Sequence, residues 1–327
     1  MIAFAKNRPP GTAAKNKAHT VVGLEFDAHA IRALRVNHAG ASGYRIESLC
    51  EERGDFKEDT DLLDGLRKVK SRLSIGAREH VVTALAGKQV WAGEIQFRPL
   101  PPHEMVPALK LEVRKILHFE ANHSALDYQV LSEANPQANQ EFANLLVVAA
   151  HNTLLNKQIK WLEKSGMRVA VVEVLPVAVM NAVWAQVGIS KGEAAHVGLH
   201  FGPQVCTVCI DGEKSPFFNR SIYFSAEEVF GQGDPLTGRE RERRLQILGE
   251  EIGRTLAYYE KNSLIGGFQS VSVFGDFSGE PGLTELVQKY TGMMPAELDV
   301  LKRFGYSMPA EASRFALSLA LALREDA

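Results

Sequence analysis

Two apolar spacings alternate along the chain. Apolar and β-branched residues in short alternating runs predict strands over 22–26, 31–36 and 44–48, with a turn at 37–40. Leu62, Leu66, Val69 and Leu73 follow, spaced by four, three and four, so they share one face of a helix. A strand over 80–85 comes next. The series then returns: strands over 197–201, 205–210 and 217–223, a longer helix marked by Leu245, Leu248, Ile252, Leu256 and Tyr259, and a strand over 270–274. A strand over 168–172 and a helix over 176–187 complete the first series, and helices over 281–291 and 312–323 complete the second. Pro176 suits a first helical turn because it has no N–H to leave unpaired.

The recurrence is also literal. Val22-Gly23-Leu24-Glu25-Phe26 returns as Val197-Gly198-Leu199-His200-Phe201, differing only at the fourth position. Two copies of a βββαβαβα series predict an α/β protein with the duplicated ribonuclease-H-like layout of the actin-like ATPase fold. One block breaks the symmetry. Between Gly87 and Phe142 the first copy gains a strand over 90–97, the turn Pro99-Leu100-Pro101-Pro102, a helix carrying Val106, Leu109, Val113 and Ile116, and a strand over 127–131. The expected organisation is a flexible basic tail at 1–19, a first domain at 20–187 with an inserted subdomain at about 88–142, and a second domain at 195–327.

Composition narrows the function classes. The 327 residues carry 37 Lys+Arg against 39 Asp+Glu, a net charge of -2. That balance opposes wholesale nucleic-acid binding, which needs clustered excess cations. Three cysteines are too few for a disulfide framework in a chain this long and fit a reducing cytoplasm. The tail, with Lys6, Arg8, Lys15 and Lys17, has no apolar run of signal-peptide length. The apolar stretch 169–187 is interrupted by Glu173 and Pro176, so no transmembrane helix is expected.

The inserted block carries Leu100-Pro101-Pro102-His103-Glu104, then Leu117-His118-Phe119 and Asp127-Tyr128-Gln129-Val130-Leu131. With Leu145-Leu146-Val147-Val148-Ala149-Ala150, the helix ending Glu163-Lys164-Ser165-Gly166, and Pro281-Gly282-Leu283, the chain resembles the PilM family, actin-like cytoplasmic proteins of type IV pilus assembly. That family is related to FtsA and to the cytoplasmic domain of GspL. His118 stands where the family usually has Pro. The resemblance spans residues 20–323. It implies a scaffold of pilus or related type II secretion assembly, peripheral to the inner membrane through partners, which holds the short cytoplasmic tail of a PilN-like protein.

The resemblance also locates a nucleotide site. In actin-like ATPases each turn between the first two strands cradles phosphate with backbone N–H groups, and an acidic residue ending each first strand holds Mg²⁺ through water. Gly23, Glu25 and Asp27 occupy the first copy, His200 and Gly202 the second, and Gly275 opens the nucleoside loop Phe274-Gly275-Asp276-Phe277-Ser278-Gly279. Asp27 replaces a glycine, His200 an aspartate, and Asp276 and Phe277 two loop glycines. A carboxylate aimed at a triphosphate repels it, and imidazole is a poor Mg²⁺ partner. The expectation is a degenerate cleft with no catalytic residue and no metal, to which ATP and Mg²⁺ come only by family resemblance. Glu25 and Asp27 also read as a solvated strand end, and His200 as a hydrogen-bonded, half-buried histidine.

Other chemistry is sparse. Cys206 and Cys209 form a C-x-x-C, but residues three apart on a strand point to opposite faces, so both read as small buried hydrophobes. The histidines have no metal-ligand spacing. Arg239, Arg241, Arg243 and Arg244 fit either an acidic partner or a mixed-charge solvated helix. Leu100, Leu117 and Phe119 line either a peptide groove or the insert's own core. The rival functions are an active ATPase or sugar-kinase-like phosphotransferase, which the missing aspartate at 200 opposes, and an FtsA-like filament former. The particular machine and the oligomeric state stay open.

Overall fold

The computed structural model describes residues 19–38, 43–134, 140–188, 194–213, 215–231, 236–263, 266–297, 300–306 and 312–324. The expected tail before His19, and the linker and turn residues in the remaining gaps, lie outside the described residues. The chain packs as two units, Met1–Ala178 with Ser318–Ala327, and Val179–Leu317.

In the first unit β1 (His19–Phe26), β2 (Ala30–His38) and β3 (Tyr44–Arg53) form an antiparallel meander. β3 runs past the expected residue 48 because Arg32 Nε donates to Glu51 Oε1 at 2.8 Å across the strands, a polar pairing that apolar alternation does not register. After α1 (Asp59–Arg72), β4 (His80–Leu85) pairs parallel to β1. Leu62, Leu66 and Val69 of α1 pack on Val22, Leu24 and Ile31, as their spacing requires.

Next comes a lobe of β5 (Val90–Phe97), α2 (Pro102–Val113), β6 (Ser124–Ser132) and β7 (Ala143–His151), in a sheet ordered β5-β7-β6. Its central strand lies beyond the limit expected at residue 142. The reason is that the apolar run Leu145–Ala150 is buried throughout, as a strand covered on both faces must be. α2 ends at Val113, which leaves Ile116, expected on its buried face, exposed. α3 (Asn152–Lys164) leads to β8 (Arg168–Val174), and the main sheet reads β3-β2-β1-β4-β8.

α4 (Leu175–Val187) starts in the first unit and continues in the second. There β9 (Ala195–Phe201), β10 (Val205–Asp211) and β11 (Phe218–Tyr223) repeat the meander. α5 (Ala226–Phe230), the long α6 (Gly238–Ser263), β12 (Phe268–Phe274), α7 (Leu283–Thr291), β13 (Ala296–Glu297) and α8 (Val300–Arg303) follow. The expected last helix is a 3-10 turn, Ala312–Phe315, and then α9 (Ala316–Ala322). The sheet order β11-β10-β9-β12-β13 matches the first unit strand for strand. The register matches too: Gly23 faces Leu34 as Gly198 faces Cys209, and Phe26 faces Ile31 as Phe201 faces Cys206. The duplication is therefore real at the level of single residues.

The units do not end where the repeats end. The end of α9 packs in the first unit, against β1 from the first copy, while most of α4 packs in the second, against β9 from the second copy. Gly23 is what admits α9, since a Cβ there would lie 1.8 Å from Ser318 O and 2.6 Å from Ala322 N. Gly198 is its repeat partner, and a Cβ there would meet Val183 at 2.9 Å and Val179 at 3.0 Å. The C-terminal segment is further tied to the first unit by His38 Nε2, 2.7 Å from Ala322 O, and by Arg324, which is fully buried and ion-paired with the equally buried Glu173.

Backbone cannot step aside as side chains can, so the two glycines should rank in cost. Gly23→Ala should lower unfolding free energy by about 3 kcal/mol and Gly198→Ala by about 1 kcal/mol. Gly279→Ala, which meets no atom within 4 Å, should be neutral. Urea denaturation of the three variants gives the order, and equal values at 23 and 279 would refute the role given to Gly23.

Candidate functional site

In the first turn, three of the expected residues meet local partners. Gly23 faces α9 and is occupied by helix packing. Glu25 sits opposite Arg32 in the β1–β2 register, so their side chains share a face and approach to 3.9 Å. Ser318 Oγ adds a hydrogen bond to Glu25 at 3.3 Å, and Arg32 also binds Glu51. Glu25 is thus not a solvated strand end. Its charge is balanced by a buried guanidinium, in a strand-end network with Glu51 and Arg53.

Asp27 closes the turn. Its N–H donates to Ala30 O at 2.9 Å, and its Oδ1 accepts from His29 N at 2.6 Å and Ala30 N at 3.0 Å. These are backbone donors of the kind that a phosphate-cradling turn offers its anion. The carboxylate thus engages the donors of its own loop.

The second turn keeps the same closing bond, Gly202 N to Val205 O at 3.1 Å, at the repeat-equivalent position. Its next residue is Pro203, which has no N–H to give. His200 lies over this turn: Gly202 and Gly275 bring Cβ positions to 3.4 Å and 3.0 Å of its ring, and Phe274 lies 5.5 Å away, ring to ring. Gly275 has φ +104 and a Cβ there would meet Phe201 O at 2.6 Å, so only glycine fits. The structure therefore brings His200, Gly202 and Gly275 together. The loop after Gly275 is closed from within. Ser278 Oγ bonds Gly275 O at 2.9 Å and Ser313 Oγ at 3.1 Å, and Phe277 stacks on Phe230 at 6.2 Å against the core under α6.

Cys206 packs in the α6-side core, whereas Cys209 faces Gly198 in register and so lies on the α4 side. Both are free thiols, and burial pushes both pKa values up. His196, its pKa lowered by burial, sits 2.7 Å from Ser270 Oγ and packs edge-on to Trp184, whose Nε1 donates to Asp211 at 3.0 Å. Among the described residues no three His, Cys, Asp or Glu side chains are placed to hold a metal ion, and no helix is long and apolar enough to cross a membrane.

The lobe presents a different surface. Leu100 and Leu117 pack with Met105, Leu109, Val113, Leu145 and Val147, so these two belong to the lobe's own core and not to a groove. Phe119 meets His151 edge-on at 6.4 Å. The exposed apolar side chains are instead Leu111, Ile116, Val130 and Phe142, with Arg98 stacked 5.9 Å over Phe142. Val130 stands on β6, an edge of its sheet. Helical spacing hid Leu111, which lies on α2's outer face, and Phe142 stands at the expected limit of the inserted subdomain, just before β7.

A family model described as Type IV pilus assembly protein PilM matches residues 23–230. No curated protein sequence matches the chain. Among solved structures, a PilM-PilN type IV pilus biogenesis complex is similar with TM-score 0.76 and 19% identity, covering 93% of this chain and 98% of that one. A Bacteroides thetaiotaomicron protein of actin-like ATPase fold matches with TM-score 0.51 and 11% identity, over 94% and 96% of the two chains. The ethanolamine utilization protein EutJ from Carboxydothermus hydrogenoformans gives 0.50 and 11%, over 95% and 92%.

Three measurements follow from this geometry. Asp27→Ala removes the side-chain acceptor of two backbone N–H groups and should cost about 1–2 kcal/mol in urea; calorimetric titration of the unaltered protein with Mg-ATP should show no micromolar binding, and micromolar affinity would contradict the occupied turn. Iodoacetamide should leave Cys206 and Cys209 unmodified in the folded protein and alkylate both in denaturant, and rapid native labelling would show the thiols to be reachable.

Proposed function

Because the chain belongs to the family of type IV pilus assembly protein PilM, we propose that it is a scaffold of pilus assembly, held at the cytoplasmic face of the inner membrane by capturing the short tail of a PilN-like partner. The likeness to a PilM-PilN complex over nearly the whole chain supports a partner of this kind. The observation that carries the reading is the lobe. It adds a sheet edge at β6 and the exposed apolar side chains Val130, Leu111, Ile116 and Phe142 to a fold that is otherwise a plain duplication.

An edge strand beside apolar side chains can take up an extended segment by main-chain hydrogen bonds, with alternate side chains setting specificity. The nucleotide-site positions offer no comparable chemistry. Glu25 is committed to Arg32, the turn donors to Asp27, and the loop after Gly275 to Ser313 and the core. A degenerate site without ATP turnover fits this state better than an active ATPase or a sugar-kinase-like phosphotransferase.

The experiment is capture of a synthetic PilN-type N-terminal tail on beads. Val130→Glu and Leu111→Glu, both at exposed positions, should reduce capture by at least about ten-fold while circular dichroism stays unchanged. Glu25→Gln and His200→Ala should leave capture intact. The reverse pattern would return the function to the nucleotide-site residues.

A further inference from the structure

The arginine-rich start of α6 is not used by the reading above. Its four arginines look alike in the sequence and differ in the structure. Arg241 stacks 5.2 Å over Phe230 and donates to Pro281 O, and Arg244 pairs with Glu240 at 3.3 Å. Arg239 and Arg243 are exposed and have no ion pair among the described residues. From Arg239 the steps of four, four, three, four and four reach Arg243, Ile247, Glu250, Arg254 and Tyr258, so these six share one stripe along the helix.

That stripe is the outer face, because Leu248, Ile252, Leu256 and Tyr259 occupy the inner one. Ile247 is 48% and Tyr258 58% exposed, the Tyr258 ring lying 5.9 Å from that of Phe218, so the stripe leaves apolar surface open to solvent. Glu250 is the stripe's one carboxylate, and Arg254 already engages it at 3.3 Å. The unpaired cations also oppose the helix. Positive side chains in the first turns face the positive end of the macrodipole, which costs a few tenths of a kcal/mol each. Helix stability therefore does not explain Arg239 and Arg243, and a solvated mixed-charge face does not explain Ile247 and Tyr258.

We propose that this face of α6 docks an acidic amphipathic segment of a partner protein, with carboxylates on Arg239 and Arg243 and apolar side chains on Ile247 and Tyr258. Charge complementarity selects the occupant. The chain as a whole is net negative, so an acidic segment is drawn by this stripe and not by the bulk charge. The surface belongs to the second unit and the lobe to the first.

The test uses the full chain and a fluorescein-labelled helical peptide of about 18 residues built only from Glu, Leu and Ala, long enough to span the stripe. Fluorescence anisotropy should show binding at low salt that weakens as ionic strength rises toward about 0.5 M. R239E/R243E should weaken it by about ten-fold or more, I247S/Y258S by several-fold, and R67E, an exposed arginine on α1, should not change it. Circular dichroism reports folding of each variant. Absence of binding, equal binding by R239E/R243E and the unaltered protein, stripe-dependent binding that is tighter to phosphatidylglycerol vesicles than to the peptide, or salt-sensitive self-association through the stripe in sedimentation velocity would each overturn the proposal.

Discussion

The close approach of a helix to the first strand of each sheet is the constraint on which the architecture rests. At Gly23 the neighbour is backbone of α9, and at Gly198 it is side chains of α4. Each glycine turns one position of a central strand into a flat patch, and each patch receives a helix whose side chains are buried nearly all round. Because α4 belongs mainly to the second unit and the end of α9 to the first, the second unit is the continuous stretch Val179–Leu317, whereas the first is assembled from two separate stretches of chain. The first unit is complete only when residues beyond Ser318 return to it. His38 and the Arg324–Glu173 pair then hold that return in place. Removing one partner of so deeply buried an ion pair leaves an uncompensated charge, which costs several kcal/mol.

The same register that admits the helices explains the fate of the expected nucleotide positions. Glu25 faces Arg32 across β1 and β2, and the repeat-equivalent pair is His200 facing Thr207. In one unit this position holds an ion pair, and in the other His200 faces Thr207 in register with its ring 5.5 Å from that of Phe274. Asp27 and Gly202 keep an identical closing hydrogen bond, yet Asp27 adds an acceptor for the turn's own donors, and Pro203 deletes a donor from the other turn. The two turns thus differ in which groups meet their backbone donors. These are local changes that leave strand order untouched.

Most of the fold was legible because the signals were periodic. The apolar spacing of Leu62, Leu66 and Val69 and the alternation in the strands place α1, β4 and β5 at their observed limits or within a few residues of them, and the repeated Val-Gly-Leu-x-Phe motif foretold the shared register. What stayed hidden was not periodic. β3 continues on an Arg32–Glu51 contact, and β13 has only two residues to show. The central place of β7 in the lobe depends on pairing both with β6 just before it and with β5, from which α2 and β6 separate it in the chain. That Glu25, Asp27 and Gly202 fall at strand ends and turns was legible, but what they contact was not. That Asp27 would turn inward to His29 and Ala30, or that Gly23 would serve a helix from the far end of the chain, is a matter of tertiary contact.

The lobe's independence follows from where its core lies. Met105, Leu109, Val113, Leu145 and Val147 pack among themselves, apart from the cluster that joins α1 and α3 to the main sheet. The lobe leaves the sheet after β4 and rejoins it through α3, which is anchored by Gln158 bonding Thr83 Oγ1 and Ala84 O at 2.9 Å each. Substitutions on the lobe's outer face therefore do not reach β1, Gly23 or the buried Arg324–Glu173 pair. Contacts distant from one another and without shared partners contribute nearly additively to stability. The lobe's outer face can therefore vary while the packing at the two glycines stays fixed.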